Sequence, residues 1–511
     1  MQKLSLMSQN RSGTIINNAF LLYIRSFLTM IIGIYTSRIL LKSLGVEDFG
    51  IYNLVAGLVA MFASLKSVFA SSIQRFLNYA KGKNDQEQEN KIFNISILIH
   101  SGLGLMFALI VEVVGNWFIK EKLNIPPDSI SIAFFVFHCA VITTTITVAS
   151  IPFDAVVIAN EKFKYYAWLT LIDAVLKFLI VYLLALLPFH RLCSYSVLLL
   201  IISLIDITAN IIYCRRFKEC KIHLLWDTTL LKKIASFSAW NFLGNTAFTF
   251  VNEGLNVILN IFGGVAINAG RGIAYQVKSA VQTLCNNIFV AVQPVIVQQA
   301  VQKEKSVIFS NILRLSKINF FVTITTVIPI FVFSEYILKI WLGQVPPMST
   351  IFVKLLMMYC AIRSLHSPID LLFKSYGDIK KYQIIDSLVL IMSIPISYCL
   401  LKFNAPLYWV FIIMSIVEVM NLLSIVLCAK SKLGFDAKHY FYKVGVPCCL
   451  GFVLMFFLAF TLNSLVCIDG FIHFITILLI VVVVSISISL LLIGKDDRLL
   501  IISFIKEKLR K

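Results

Sequence analysis

Apolar residues run along this chain in long blocks, each closed by charge, proline or glycine. A helix that crosses a bilayer needs about 20 predominantly apolar residues. Fourteen blocks reach that length, at approximately 14–41, 51–78, 92–115, 129–158, 166–188, 194–214, 234–262, 270–299, 315–341, 350–373, 383–401, 405–429, 444–466 and 471–493. The pattern predicts an all-α, polytopic membrane protein with about 14 transmembrane helices. Residues 1–13 are too polar, and the run after them too long, for a cleaved signal peptide, so the first block is expected to remain as a span.

Composition agrees with the pattern. Of 511 residues, 59% are hydrophobic and 14% charged, which excludes disorder, a collagen-like repeat and a secreted disulfide scaffold. The formal net charge of +19, from 45 Lys and Arg against 26 Asp and Glu, would raise the question of nucleic acid in a soluble protein. Here the loops account for it. With the N-terminus in the cytoplasm, the inner segments carry roughly six times as many basic residues as the outer loops, which hold Lys42, Lys120, Lys122, Arg191 and Lys402. Both termini are therefore expected in the cytoplasm, with membrane lipids rather than nucleic acid as the surroundings. No loop exceeds about twenty residues, so no soluble catalytic domain fits. There is no phosphate-cradling Gly-Lys-Ser/Thr loop and no His-Glu-x-x-His helix, and the eleven Cys are scattered without ligand spacing. No catalytic residue, metal or cofactor is expected.

The sequence also repeats itself. Pro152-Phe153-Asp154 recurs as Pro368-Ile369-Asp370, and Tyr166 and Tyr182 recur as Tyr382 and Tyr398, all at an offset of 216. Gly45-Val46 recurs as Gly264-Val265 and Gln74 as Gln293 at 219, Ile92-Phe93 as Ile308-Phe309 at 216, and Asp173 meets Asp386 at 213. Helices 1–6 and 7–12 thus read as two copies of one unit. Six is even, so both copies enter the membrane with the same orientation. The expected organisation is a cytoplasmic N-terminus (1–13), an N-lobe (14–216), an inter-lobe loop (217–233), a C-lobe (234–430), helices 13 and 14 (431–493) and a basic tail (494–511) that reads as an interfacial helix.

Polar residues inside the spans fall in stripes. Helix 1 carries Asn18, Arg25, Thr29, Gly33 and Thr36 on one face, and helix 2 carries Ser64, Ser67, Ser71, Gln74 and Asn78, with Lys66 about 100° away. Helix 7 carries Asn241, Asn245, Thr249, Asn252, Asn256 and Asn260 beside Glu253; helix 8 carries Arg271, Lys278, Gln282, Asn286 and Gln293. Four such stripes imply a hydrated cavity of mostly positive charge. Arg25 and Arg363 sit near mid-depth, and they, Arg271 and Lys278 each either pair with a neighbouring carboxylate or face an anionic ligand. Arg38, Lys339 and Lys354 lie near the outer ends and read as snorkelling residues.

Buried acids are candidates for ion coupling. Asp173 and Lys177 stand i,i+4 and suit an intrahelical ion pair. Asp154 and Asp370 follow a helix-breaking proline, where a carboxylate either binds a proton or cation or ties down the broken turn. Glu253 is a further candidate, as are Asp206, Glu112, Glu335 and Glu418.

Asn, Gln, Ser and Thr hydrogen-bond sugar hydroxyls, while Arg and Lys suit phosphate. Together they point to a phosphate-linked saccharide whose lipid tail stays in the bilayer. The chain resembles the Wzx-type polysaccharide flippases of the multidrug/oligosaccharidyl-lipid/polysaccharide exporter superfamily. The resemblance rests on Arg25 followed by the run Leu44-Gly45-Val46-Glu47-Asp48-Phe49-Gly50-Ile51-Tyr52, on Ile151-Pro152-Phe153 through Ala159-Asn160-Glu161-Lys162-Phe163, and on the 6+6+2 span count. It implies a MATE-like two-lobe fold that flips a polyprenyl-diphosphate-linked oligosaccharide across the bacterial cytoplasmic membrane, for O-antigen, capsule or exopolysaccharide. It implies Arg25, Lys66 and Arg271 at the substrate pyrophosphate, and polysaccharide polymerase or assembly proteins as partners. Two other readings compete. An ion-coupled multidrug exporter would want an acidic or aromatic cavity, which the basic helices 1 and 8 oppose, and a membrane glycan polymerase would want a long loop.

Overall fold

Helices account for nearly all of the described chain. The structure, a computed structural model, describes the backbone of residues 2–63, 65–223, 227–302, 304–376, 380–465, 470–494 and 498. It describes their side chains except at 2–23, 58, 60–63, 65–69, 71, 233, 235–246, 284, 286–295, 297–302, 463 and 465. The tail 499–511 and the side chains of Asn18, Lys66, Asn241 and Asn245 lie outside the described residues.

Two compact units, Met1–Ala269 and Gly270–Lys511, divide the chain. The first holds α1 (Gln2–Ala63), α2 (Leu65–Gly82), α3 (Gln86–Glu121), α4 (Ile130–Ala149), α5 (Ile151–Ala159), α6 (Phe163–Leu183), α7 (Arg191–Cys214), α8 (Thr228–Gly263) and the start of α9 (Val265–Gln302). The second holds the rest of α9, then α10 (Lys305–Val332), α11 (Ser334–Leu342), α12 (Ser349–Tyr376), α13 (Lys380–Ile391), α14 (Ser393–Lys402), α15 (Trp409–Leu433), α16 (Ala437–Tyr440), α17 (Val446–Leu465) and α18 (Phe471–Ile493). Among the described residues, ten stretches are long and apolar enough to cross a membrane. Among the described residues, α1 is two rods divided at Gly45, while α4–α5, α10–α11, α13–α14 and α16–α17 are each one rod with an interruption.

The repeat is visible in the backbone. Gly45 has φ 82° and ψ 173°, and Gly264, its counterpart, φ 74° and ψ 179°. That region is essentially closed to residues with a Cβ, so the same Gly-Val turn ends the first rod of each copy. Gly50 matters for a different reason: a Cβ there would sit 1.9 Å from the Val265 carbonyl oxygen, and its absence lets the second Gly-Val turn pack onto α1.

Among the described residues of the first unit, apolar side chains gather in two cores. One gathers Ile73, Leu77, Phe93, Phe153 and Ile234, and the other Ile51, Leu54, Ile119, Phe137 and Val265. The α8 rod, which by the repeat opens the second copy, packs on α1, α2 and α3. In the second unit α12 lies between α10 and α15, and α17 and α18, outside the repeat, pack on α10 and on each other. Exposed Leu105, Leu109, Val113, Val453, Phe457, Leu479 and Val483 form apolar outer faces suited to lipid.

The two prolines of the repeat behave differently. At Pro152 the rod breaks between α4 and α5, whereas α12 runs through Pro368 without interruption. The expected break is absent because neighbours take up the freed carbonyls. Asn319 Nδ2 of α10 donates to the Ser364 oxygen at 2.6 Å, and Tyr440 Oη of α16 donates to the Leu365 oxygen at 3.1 Å.

Candidate functional site

In the first unit, Arg25 lies on α1 with its guanidinium 5.2 Å from the centre of the Tyr166 ring, and the Thr29 hydroxyl donates to the Arg25 carbonyl at 3.0 Å. Tyr166 in turn lines a polar cavity of about 320 Å³ inside this unit, with Thr147, Ser150, Asp154, Asp173 and Asp206 among its walls. The break at Pro152 turns buried Asp154 toward α7, where its Oδ1 accepts from Asn210 Nδ2 at 3.0 Å. Asp173 makes the intrahelical pair with Lys177 that its spacing suggested, at 2.8 Å. Two of the four candidate coupling acids therefore share one cavity. Glu253 is elsewhere, on α8, where its carboxylate accepts from Asn256 at 3.3 Å in space that a Cβ on Gly57 would need.

The asparagine stripe of α8 divides. Asn252 is half-buried, but Asn256 and Asn260 are buried in a hydrogen-bonded seam. Asn260 Oδ1 accepts from the Asn124 backbone N–H at 2.8 Å, Asn260 Nδ2 donates to Asn268 Oδ1 at 3.0 Å, and Asn256 Nδ2 donates to the Asn53 carbonyl at 3.2 Å. This stretch of the stripe binds α8 to its neighbours and lines no open space, because every amide meets a backbone or amide group across the helix interface.

At the end of the rods that carries the basic loops, Lys81 pairs with Glu219 at 3.1 Å and with Glu89 at 3.8 Å, and it also donates to Asn160. Asn160 Nδ2 donates to Glu219 Oε1 at 2.8 Å. Burial alone would raise the Glu219 carboxyl. The Asn160 hydrogen bond, its local backbone bond and Lys81 outweigh that and hold it below the usual carboxylate range. Sequence reasoning missed this cluster; Asn160, inside the motif that carried the resemblance, was its one signal.

In the second unit the basic residues rest on tyrosine faces. Arg271 lies 3.8 Å from the Tyr275 ring centre, and Lys278 lies 4.5 Å from Tyr275 and 4.8 Å from Tyr359. Both are buried, and cation–π contact replaces part of their lost hydration. Gln282 is near Arg363 beside a small pocket. Arg363 Nη1 donates to Glu418 Oε1 at 3.0 Å, the neighbouring-carboxylate outcome weighed for it. Asp370 pairs with Lys374 at 2.7 Å. Between these groups lies buried His366, which the sequence reading did not single out: Nδ1 is 3.1 Å from Glu418 Oε1, and Nε2 is 3.3 Å from both Asp386 Oδ1 and the Tyr382 hydroxyl. An ionisable residue within a span is a functional candidate by that fact alone, and that signal was available. Among the described residues, no group of three or more His, Cys, Asp or Glu is placed to hold a metal ion.

A family model described as polysaccharide biosynthesis protein matches residues 39–345. No curated protein matches the chain. Among solved structures, a lipid II flippase MurJ in an inward closed conformation aligns with a TM-score of 0.70 at 16% identity, over 92% of this chain and 98% of that one. An inward-facing multidrug resistance MATE family transporter aligns with 0.68 at 14% identity, over 81% and 98%. An outward-facing transporter of that family aligns with 0.59 at 13%, over 82% and 95%. At such identities the agreement speaks for the fold, a MATE-like bundle of membrane helices.

Proposed function

Because the chain belongs to the polysaccharide biosynthesis protein family, a multi-pass branch of the multidrug/oligosaccharidyl-lipid/polysaccharide exporter superfamily, we propose that it flips a polyprenyl-diphosphate-linked oligosaccharide across the bacterial cytoplasmic membrane. The chain acts as a carrier without chemical conversion of its cargo, both termini face the cytoplasm, and the product feeds a surface polysaccharide and its polymerase or assembly proteins. The observation that carries the reading is Arg25. A half-buried guanidinium inside a span, set over the Tyr166 ring and donating from Nη2 to the Ser26 hydroxyl at 3.4 Å, has further N–H groups suited to phosphate oxygens. Arg271 and Lys278 supply the same chemistry in the other unit. They are buried in this conformation, and alternating access brings them to the ligand in another. Lys66 and Arg363 are further anion-facing candidates, with Asn18, Thr29, Asn241, Asn245, Asn252 and Gln282 as sugar-facing groups. For ion coupling, the shared cavity favours Asp154 and Asp173 over Glu253 and Asp370.

The likeness to multidrug transporters supports a second reading as an ion-coupled drug exporter. Cationic side chains on α1 and α9 disfavour the lipophilic cations such a protein would carry.

Deleting the gene should abolish the surface polysaccharide and accumulate its lipid-linked precursor in the inner leaflet. Replacing Arg25 or Arg271 by Ala, with the protein still in the membrane, should cut export about tenfold or more, the cost of one charge-assisted hydrogen bond. Normal export in both variants removes the proposed anion site.

A further inference from the structure

His366 is held so that each ring nitrogen has two alternative partners of opposite type. Nδ1 lies 3.1 Å from Glu418 Oε1 and 3.2 Å from Arg363 Nη1. Nε2 lies 3.3 Å from Asp386 Oδ1 and 3.3 Å from the Tyr382 hydroxyl. A neutral imidazole has one N–H and one lone pair, an imidazolium has two N–H groups, and an ionised carboxylate only accepts. The charged ring therefore donates to Glu418 and Asp386 together. The neutral ring protonated at Nδ1 donates to Glu418 and accepts from Tyr382; protonated at Nε2, it donates to Asp386 and accepts from Arg363. All three states are satisfied without moving a helix.

A buried polar group usually fits one protonation state and leaves the other with an unmet donor or acceptor, which is costly away from water. Here neither state carries that cost. We propose that His366, between Glu418 and Asp386, is a reversible proton-binding site of the second unit, and that the proton it takes contributes to driving transport alongside the acids of the first unit; the second clause rests on the carrier reading above. The reaction is simple addition: a proton joins a ring nitrogen, the cluster gains one positive charge, and no bond between heavy atoms changes.

The surroundings are consistent from every side. On α12 itself stand Arg363, Tyr359 and the Asp370–Lys374 pair; α13 brings Tyr382 and Asp386; α15 brings Glu418 and Asn421, whose Nδ2 holds Asp386 at 2.7 Å; α10 brings neutral Asn319; and α9 brings Lys278, on the Tyr359 ring. Glu418 is sealed, whereas the Asp386 side chain keeps 16% exposure, so Asp386 is the open end. Oε2 of Glu418 has no hydrogen-bond partner among the described residues, which leaves an acceptor in reserve. A metal ion is the poorer ligand, because the imidazole fills the space between the two carboxylates and is itself the cation they need.

The test uses the full chain, labelled with ¹⁵N-histidine, in lipid nanodiscs. One of the seven imidazoles should vanish from the nitrogen spectrum in His366→Gln, which assigns the signal. That signal should change charge state as pH is varied. Glu418→Gln removes an anion that favours the charged ring and should lower the midpoint by about one unit or more. Tyr382→Phe removes a donor that only the neutral ring uses and should raise it. Opposite shifts from two conservative changes are not what a purely structural histidine produces. A His366 signal fixed in one state across the folded range, or moving the same way in both variants, overturns the site. If it titrates as described but His366→Gln and Asp386→Asn export polysaccharide at the wild-type rate, coupling is overturned and the site binds protons idly. If the wild-type gene proves dispensable for any surface glycan, the carrier reading fails, and the titration alone decides the site.

Discussion

Pro368 offers a clean measurement of what keeps α12 straight. Its missing N–H leaves the Ser364 carbonyl without its intrahelical partner, and Asn319 fills the gap from α10 at 2.6 Å. Asn319→Leu roughly keeps the volume, so packing loss is small, but it removes that donor. Two effects then oppose one another. The Ser364 oxygen becomes an orphan in a buried position, at about 1–3 kcal/mol. The Asn319 Oδ1, buried and without a hydrogen-bond partner among the described residues, disappears as well, which offsets much of that cost. The single variant is therefore a poor test.

The informative quantity is the coupling to Pro368→Ala. Alanine restores the N–H at position 368 and satisfies the Ser364 carbonyl within the helix, so in that background Asn319→Leu should be neutral or stabilising. The coupling energy is the worth of one interhelical bond inside a membrane protein, about 0.6 to 1.7 kcal/mol. For a unit of this size, that is a difference of about 1–7 °C in thermal midpoint between the two backgrounds. Four proteins in one detergent, followed by intrinsic fluorescence on heating, close the cycle. Equal effects of Asn319→Leu in both backgrounds would refute the claim that Asn319 is there to serve the proline.

Glu219 should leave a signature in acid. Its carboxyl is held below the usual range, so its contribution is complete above the unfolded value near 4.3 and disappears as pH falls through the folded one. Thermal midpoints of wild type and Glu219→Gln should differ at neutral pH and converge in acid; a gap constant with pH contradicts the assignment. Gly45→Ala and Gly264→Ala should each cost about 1–3 kcal/mol through φ alone, since a Cβ would meet nothing within 4 Å at Gly45 and only Asn124, at 3.7 Å, at Gly264. Circular dichroism melts that leave either variant at the wild-type midpoint would show that the turn tolerates a side chain.

The spans were legible because each is a local property: a run of apolar residues needs no partner to be recognised. The Gly-Val turns were legible for the same reason, since an unusual φ demands glycine wherever it occurs, and the offset exposed both. What escaped depended on partners far away in sequence. Pro368 reads as a helix breaker until Asn319 and Tyr440 arrive from other rods. The Asn256 and Asn260 end of the α8 stripe reads as cavity lining until Asn53, Asn124 and Asn268 meet it. His366 shows nothing of its sandwich, since Glu418 and Asp386 stand on separate helices. The α8 rod also separates two meanings of a lobe: the repeat assigns it to the second copy, while its asparagines bond it within the first unit.

The same offset of 216 that aligns Pro152 with Pro368 aligns Thr147 and Ser150 with Arg363 and His366, and Asp154 and Tyr166 with Asp370 and Tyr382. In the first unit the two small hydroxyl residues leave a cavity of about 320 Å³ around Asp154, Asp173 and Asp206, with room for several water molecules. In the second unit Arg363 and His366 stand at the matching positions, and the pocket beside Arg363 holds about 30 Å³. Open polar space and fixed counter-charge are two ways of accommodating a carboxylate inside a span; the first unit combines a cavity with the Asp173–Lys177 pair in its wall, and the second relies on Arg363 and His366. The consequence is asymmetric. A change of charge in the first unit falls on groups that border open space. In the second, adding a proton to one imidazole changes which of four fixed side chains it bonds, so the charge state of His366 is written directly into the contacts between α12, α13 and α15.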